Sequence, residues 1–200
     1  MQAPSGSTSP RRTARGRALT LAVATIVVSL VVGACDAGTP AGTPPITPGT
    51  SAAPREVNIV ARDYTYVPSV IDLAPGETVT LHVLNGGLEQ HEAIIGTLGD
   101  QLAWEAGEEA VLGAPPGPTP NVPSPAGFEG VRVVVGSGQR VDVTWTVPPD
   151  AASAPGGWFV GCHIPGHWQK GMVVPVRLVG PDGHPEGTVP PLPSVGPAGG

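Results

Sequence analysis

The sequence has few of the residues that build disulfide frameworks, basic binding surfaces or membrane spans. It contains two cysteines, two methionines and ten basic residues among 200. Four of the basic residues lie before residue 18, which leaves six basic residues against 16 acidic ones in the rest of the chain. Such an acidic chain lacks the positive surface that binds nucleic acid. The longest apolar run, residues 18–32, is too short for a comfortable membrane span.

Residues 1–34 have the organisation of an export signal. Four arginines precede the apolar run, and the small residues Gly33 and Ala34 follow it. Residues 32–35, Val-Gly-Ala-Cys, resemble a bacterial lipobox, which predicts that Cys35 carries a lipid and begins the mature protein. An ordinary signal peptide or an uncleaved anchor is the alternative. Arg11-Arg12 matches a twin-arginine signal poorly.

Glycine and proline indicate the limits of the folded domain. The chain has 29 glycines and 26 prolines, which crowd its two ends and one internal stretch. Residues 35–54 are rich in Pro, Thr and Gly and predict a linker, because they cannot bury enough apolar surface to order themselves. Residues 55–180 predict one folded domain, and residues 181–200 predict a disordered tail.

The pattern of residues 55–180 predicts an all-β sandwich of about seven to eight strands, because short alternating runs are separated by turn residues. In the run from Thr78 to Leu84, every second residue is apolar, which places His82 on the solvent face and Asn85 on the buried side. Residues 97–130 fit this pattern least. Residues 101–112 could form a helix or a turn-rich excursion, and residues 114–125 contain too many prolines for regular structure. This segment is either a loop that determines which partner binds or an insertion without a function.

Residues 162–172, Cys-His-Ile-Pro-Gly-His-Trp-Gln-Lys-Gly-Met, carry the strongest chemical signal. Two histidines and a cysteine with a weak axial methionine are typical of electron-transfer copper sites. Cys162, His167 and Met172 supply three of these ligands, so a second histidine must come from elsewhere. His91, just past a strand end, is the candidate. The alternative is a buried cysteine beside a surface loop with incidental histidines.

The spacing Cys-x4-His-x4-Met resembles the ligand loop of the cupredoxins, and residues 75–85 (PGETVTLHVLN) resemble the first half of the same family. The resemblance implies a cupredoxin-like Greek-key β-sandwich with one copper ion per chain. It implies the ligands His91, Cys162, His167 and Met172. It further implies that Asn85 hydrogen-bonds to the cysteine loop and that the His167 ring edge reaches the surface as the electron port. Trp168 would either join a docking patch there or pack under the loop.

The same loop also resembles the last motif of multicopper oxidases, in which a histidine on each side of the cysteine serves a further copper cluster. Here Gly161 precedes Cys162, and only His163 follows it. This departure implies a mononuclear site.

These observations predict a monomeric, lipid-anchored electron carrier, not an enzyme, on the outer face of the cytoplasmic membrane or in the periplasm. Its expected partners are redox proteins. We expect no disulfide between Cys35 and Cys162, because Cys35 is predicted to carry lipid and Cys162 to bind metal. One alternative is a copper carrier, chaperone or store, which the scarcity of methionine and the dispersed histidines disfavour. A small copper oxidase or nitrite reductase would need three further histidines. A metal-free interaction domain is the last alternative.

Overall fold

The computed structural model describes residues 44–111, 122–185 and 188–194. The chain divides into two units after Pro40, and every described residue belongs to the second unit. The predicted signal peptide, the predicted lipid-carrying Cys35 and residues 36–43 of the predicted linker lie outside the described residues. In the ranges that are described, no helix is long and apolar enough to cross a membrane.

The described residues form two β-sheets and one α-helix, which confirms the predicted all-β sandwich. The sandwich has nine strands, whereas seven to eight were predicted. In chain order the elements are β1 (Arg55–Arg62), β2 (Thr65–Val67), β3 (Ile71–Leu73), β4 (Thr78–Asn85), β5 (His91–Thr97), α1 (Leu98–Ala110), β6 (Val131–Val135), β7 (Arg140–Thr146), β8 (Trp158–Gly161) and β9 (Val173–Leu178). One sheet has the order β2-β1-β4-β7, and the other has the order β3-β9-β8-β5-β6. The pairs β1–β4 and β3–β9 are parallel, and the remaining pairs are antiparallel.

Both sheets contribute to one apolar core, in which the period of two along each strand decides what is buried. In β4, Val79, Leu81 and Val83 are fully buried, whereas His82 lies on the opposite face and pairs with Asp142. The predicted face of β4 is therefore confirmed. Burial of each such aliphatic side chain contributes about 1.5–3 kcal/mol relative to exposure.

Helix α1 lies against β5 and β8 and covers the outer face of their sheet. It begins after Thr97, whose hydroxyl accepts the N–H of Asp100 while the Asp100 carboxylate accepts the N–H of Thr97. Such a capping box contributes on the order of 1 kcal/mol to helix stability. Because Trp104 packs on Ile94, β5 is buried on both faces. Residues 101–110 are thus helical rather than turn-rich, and residues 112–121 lie outside the described residues.

The ends of the folded domain extend beyond residues 55 and 180. The Ile46 N–H donates to the Gly183 carbonyl, and the Gly49 N–H donates to the buried carboxylate of Glu77. Val179 forms an isolated bridge with Pro185. Part of the predicted linker and part of the predicted tail therefore hydrogen-bond to the sandwich.

Candidate metal centre

The loop between β8 and β9, residues 162–172, is closed by its own backbone. The Cys162 N–H donates to the Met172 carbonyl at 3.1 Å, and the Met172 N–H donates to the His167 carbonyl at 3.1 Å. Gly166 and Gly171 have φ angles of 88° and 86°, which residues with a side chain rarely adopt. The loop therefore holds its thiol, imidazole and thioether residues in one compact turn, and Met172 is fully buried in the same core cluster as Cys162.

The structure brings His91 to this loop. His91 begins β5, which pairs with β8 through Ile94 and Gly161. One donor atom each from His91, Cys162 and His167 can be chosen so that all three lie within 4.8 Å of one another. The Nδ1 of His167 lies 3.3 Å from the Nδ1 of His91 and 3.3 Å from the Cys162 sulfur. All three residues are buried, so water is excluded from the point between them.

Each histidine is paired with a carboxylate through its outer nitrogen. The Nε2 of His91 lies 2.7 Å from Asp63 Oδ1, and the Nε2 of His167 lies 3.0 Å from Glu89 Oε2. An ionised carboxylate only accepts, so both Nε2 atoms donate, and a neutral ring then has a free lone pair on Nδ1. Two lone pairs and a sulfur converge without a proton between the nitrogens. One sulfur and two imidazole nitrogens are the donor types of copper sites in proteins. The residues at this site therefore fit a copper ion.

Burial also sets the protonation of the site. It raises the pKa of the Cys162 thiol to about 12, although the N–H of Glu92 donates to the sulfur at 3.4 Å and opposes this rise. Burial lowers the pKa of His167, and the Glu89 carboxylate opposes this change. A buried thiol with so high a pKa loses its proton only when a cation binds the sulfur, so metal binding at this site releases a proton.

Comparison with known proteins places the chain in a family. No model of a protein family matches it. It is 31% identical over 128 residues to the copper-resistant cuproprotein CopI of Rubrivivax gelatinosus, covering 63% of this chain and 68% of CopI. The crystal structure of dithionite-reduced auracyanin from Roseiflexus castenholzii superimposes with a TM-score of 0.51 at 19% identity, covering 62% of this chain and 97% of auracyanin. The chain belongs to the family of the cuproprotein CopI and has the cupredoxin fold. The structure of auracyanin A from Chloroflexus aurantiacus is 23% identical and superimposes with a TM-score of 0.49. The matched region covers 64% of this chain and all of auracyanin A.

In this cupredoxin, His167 does not reach the surface, contrary to the expectation from the family resemblance. Its side chain is 4% exposed. The ring edge is covered by Tyr64, whose ring lies 4.9 Å from the imidazole, and by Glu89. The Tyr64 hydroxyl donates to Glu89 at 2.6 Å, and the Lys170 ammonium lies 3.6 Å from the Tyr64 ring centroid. The three side chains Tyr64, Glu89 and Lys170 form a cover over the histidine.

Asn85 is fully buried, as predicted, but its hydrogen bonds lead elsewhere than predicted. Its amide nitrogen donates to the carbonyls of Glu89 and Val135, and its amide oxygen accepts the N–H of Gly87. None of these bonds reaches the cysteine loop. Asn85 instead holds the segment before His91 in a tight turn, because its two polar atoms both bond within or beside that segment.

His163 and Trp168 pack beneath the loop. The two ring nitrogens of His163 bond to Glu105 at 2.7 Å and to Gln101 at 2.8 Å, both on α1. Trp168 is 4% exposed and stacks on His163 with ring centroids 4.7 Å apart. The packed alternative for Trp168 is therefore the observed one. Since both nitrogens of His163 are engaged, the ring offers no free lone pair to a second metal.

The functional residues that sequence reasoning missed are Asp63, Glu89 and Tyr64. Asp63 lies in the turn between β1 and β2, 28 residues before its partner His91. No spacing rule connects an acidic turn residue with a histidine on the other sheet. Tyr64 and Glu89 lie near recognisable sequence features, but nothing in the sequence indicates that the fold brings them together at His167.

A buried ionic cluster lies behind the site. Arg132 bonds to the carboxylates of Glu92 and Glu108, both of which are nearly inaccessible to solvent. One oxygen of each carboxylate has no hydrogen-bond partner in the described part of the chain. Burial raises the pKa of Glu108 from 4.5 to about 7, the Glu92 charge adds to this rise, and Arg132 opposes it.

We expect Glu108 to lower the free energy of unfolding as the pH rises from about 4.5 to about 7. Its pKa is higher in the folded state than in the unfolded state, so in this window the folded state binds more protons, and stability declines as the pH rises. Glu108→Gln should flatten that decline in denaturant unfolding curves recorded from pH 4.5 to 8. Glu109→Gln, at an exposed position on the same helix, is the control and should retain the wild-type slope. Equal slopes for both variants would contradict the assignment.

Proposed function

We propose that this cupredoxin is a one-electron carrier with a single copper ion bound by His91, Cys162, His167 and Met172. The observation that carries the proposal is the convergence of two imidazole Nδ1 atoms and one sulfur inside a dry core. Thiolate and imidazole with a distant thioether are the donors of copper sites that transfer electrons. Copper supplies the one-electron redox couple.

The residues of the chain would prepare this couple in three ways. Cys162 supplies the thiolate, and the Glu92 N–H directed at its sulfur stabilises the negative charge. The two imidazoles are held by carboxylates, and Met172 is placed by the backbone bond between its carbonyl and the Cys162 N–H. Because these groups are fixed by the fold, little rearrangement accompanies a change of redox state, which favours fast electron exchange.

The cellular setting completes the proposal. The signal-like residues 1–34 and the lipobox-like residues 32–35 support export and lipid attachment at Cys35. The chain would then act as a monomer on the outer face of the cytoplasmic membrane or in the periplasm, and exchange electrons with redox proteins there. Its acidic composition favours partners with a positive docking surface.

A role in copper tolerance is the second candidate, and the similarity to CopI favours it. A carrier of this kind would bind copper and hand it on, whereas an electron carrier retains copper in both redox states. A copper oxidase is less well supported, because His163, the remaining histidine of the loop, is bonded to α1 through both nitrogens.

The experiment that tests the proposal follows copper through a redox cycle. Cu(II) is added to the full chain, ascorbate reduces it, ferricyanide reoxidises it, and visible and EPR spectra are recorded with a Cu(I) chelator present. We expect one copper per chain and an intense thiolate band that is bleached and restored. Transfer of copper to the chelator on reduction would favour the tolerance role. A colourless copper complex would mean that Cys162 is not a ligand and would contradict the electron-carrier role.

A further inference from the structure

Asp63 contacts both the first histidine and the segment before it. Its Oδ1 lies 2.7 Å from His91 Nε2, and its Oδ2 accepts the N–H of Leu88 at 2.9 Å. The N–H of Glu89 approaches Oδ1 at 3.4 Å. Gly87 leaves the space for this contact, because a Cβ there would lie 2.2 Å from Asp63 Oδ1 and 3.0 Å from His91 Nε2.

Glu89 connects Asp63 to the second histidine, His167. Its backbone is held by Asp63 and by Asn85, whose amide donates to the Glu89 carbonyl at 2.6 Å. Its carboxylate then spans from the Tyr64 hydroxyl to His167 Nε2. Asp63 therefore reaches one imidazole directly and the other through the placement of Glu89.

We propose that Asp63 is the positioning residue for both ligand histidines and that the Asp63–Glu89 pair lowers the reduction potential of the copper. This inference rests on the proposed function. A carboxylate that accepts the outer N–H of a metal-bound histidine fixes its tautomer and makes the ring a stronger donor. Two such carboxylates favour the more highly charged Cu(II) over Cu(I), and a lower potential follows. The side chains of Asp63 and Glu89 are 28% and 50% exposed, so Asp63 should have the larger effect.

A purely structural role for Asp63 is the competing explanation, since it also closes a turn. The test compares Asp63→Asn and Glu89→Gln in the full chain, with Asp142→Asn as the matched control. Asp142 is likewise a carboxylate 2.8 Å from a histidine nitrogen, but its partner His82 lies on the solvent face of β4. Midpoint potential, Cu(II) affinity and Cu(I) affinity are measured for each variant that shows the thiolate band.

We expect Asp63→Asn to lower Cu(II) affinity about 10–100-fold, to lower Cu(I) affinity less, and so to raise the potential. Glu89→Gln should change both quantities in the same direction by less, and Asp142→Asn should match the wild type. In an Asp63→Ala background, Glu89→Gln should change the potential less than it does in the wild-type background, because Glu89 has lost one of the two groups that hold its backbone. Equal losses of Cu(II) and Cu(I) affinity, an unchanged potential or additive effects would overturn the inference.

The metal-free protein provides a readout that separates this inference from the copper assignment. Nitrogen NMR of the imidazoles should show the Nε2–H tautomer for His91 in the wild type and a smaller share of it in Asp63→Asn. If that tautomer change is found but the wild type shows no thiolate band, the proposed function fails and the positioning role stands. If the band is present and the tautomer is unaffected, only the positioning role fails.

Discussion

Replacing Cys162 by Ser should abolish the intense visible band of the copper-loaded protein. The band arises from the bond between the thiolate and Cu(II), and the hydroxyl of serine does not lose its proton readily enough to replace it. The sulfur is also the acceptor of the Glu92 N–H, a contact that a serine oxygen can still make, so the fold should persist. Visible absorption and EPR of the copper-loaded variant, together with circular dichroism of the metal-free variant, make the measurement.

Cys35→Ser is the matched control, because it removes the other cysteine of the chain. It should retain the band at full intensity. A Cys162→Ser protein that keeps the band, or a Cys35→Ser protein that loses it, would show that the thiolate ligand is not Cys162.

Replacing Arg132 by Met should lower the free energy of unfolding by about 3–5 kcal/mol at pH 8. Arg132 is 14% exposed at its side chain and bonds to two buried carboxylates, Glu92 and Glu108. Its guanidinium also lies 4.8 Å from the centroid of the Trp104 ring. Without it, the two neighbouring buried carboxylates either keep their charges with no cation between them or take up protons, and both outcomes cost free energy at pH 8. Denaturant unfolding of the metal-free protein measures the loss.

Arg140→Met is the control for that prediction, because Arg140 and Asp142 form an exposed pair whose loss should change the free energy of unfolding little. Adding Glu92→Gln and Glu108→Gln to Arg132→Met should recover much of the stability, since the uncompensated charges are removed. A loss for Arg132→Met no larger than for Arg140→Met, or no recovery in the triple variant, would contradict the buried-charge explanation.

The parts of the site that depend on short spacing were predictable from the sequence. Cys162, His167 and Met172 lie on one loop, and the alternation in β4 correctly predicted which face is buried. His91 was assigned from its place at a strand end and from the family resemblance, and the fold brings it next to His167. Helix α1 has a local signal in its Thr97–Asp100 capping box, yet the weak amphipathic pattern of the residues around Trp104 left its extent open.

The parts that failed depend on contacts between segments distant in sequence. Exposure of His167 was expected from the family, but the cover comes from Tyr64 and Glu89, 103 and 78 residues away in sequence. The hydrogen bonds of Asn85 depend on the conformation of the turn before His91, which no periodicity encodes. Two residues of the predicted linker also form hydrogen bonds that its composition does not indicate, since Ile46 donates to Gly183 and Gly49 donates to Glu77.

The hydrogen bonds of His163 to α1 have a consequence for how such loops can be exchanged between relatives. Gln101 and Glu105 hydrogen-bond to His163, which follows the cysteine, and Trp168 stacks on the His163 ring. A ligand loop transplanted from a relative without this histidine would leave Gln101 Oε1 and a Glu105 oxygen without their partner beneath the metal. The helix between β5 and β6 and the loop between β8 and β9 are therefore packed as one unit, and an engineer who replaces the loop must also change Gln101 and Glu105 to suit it.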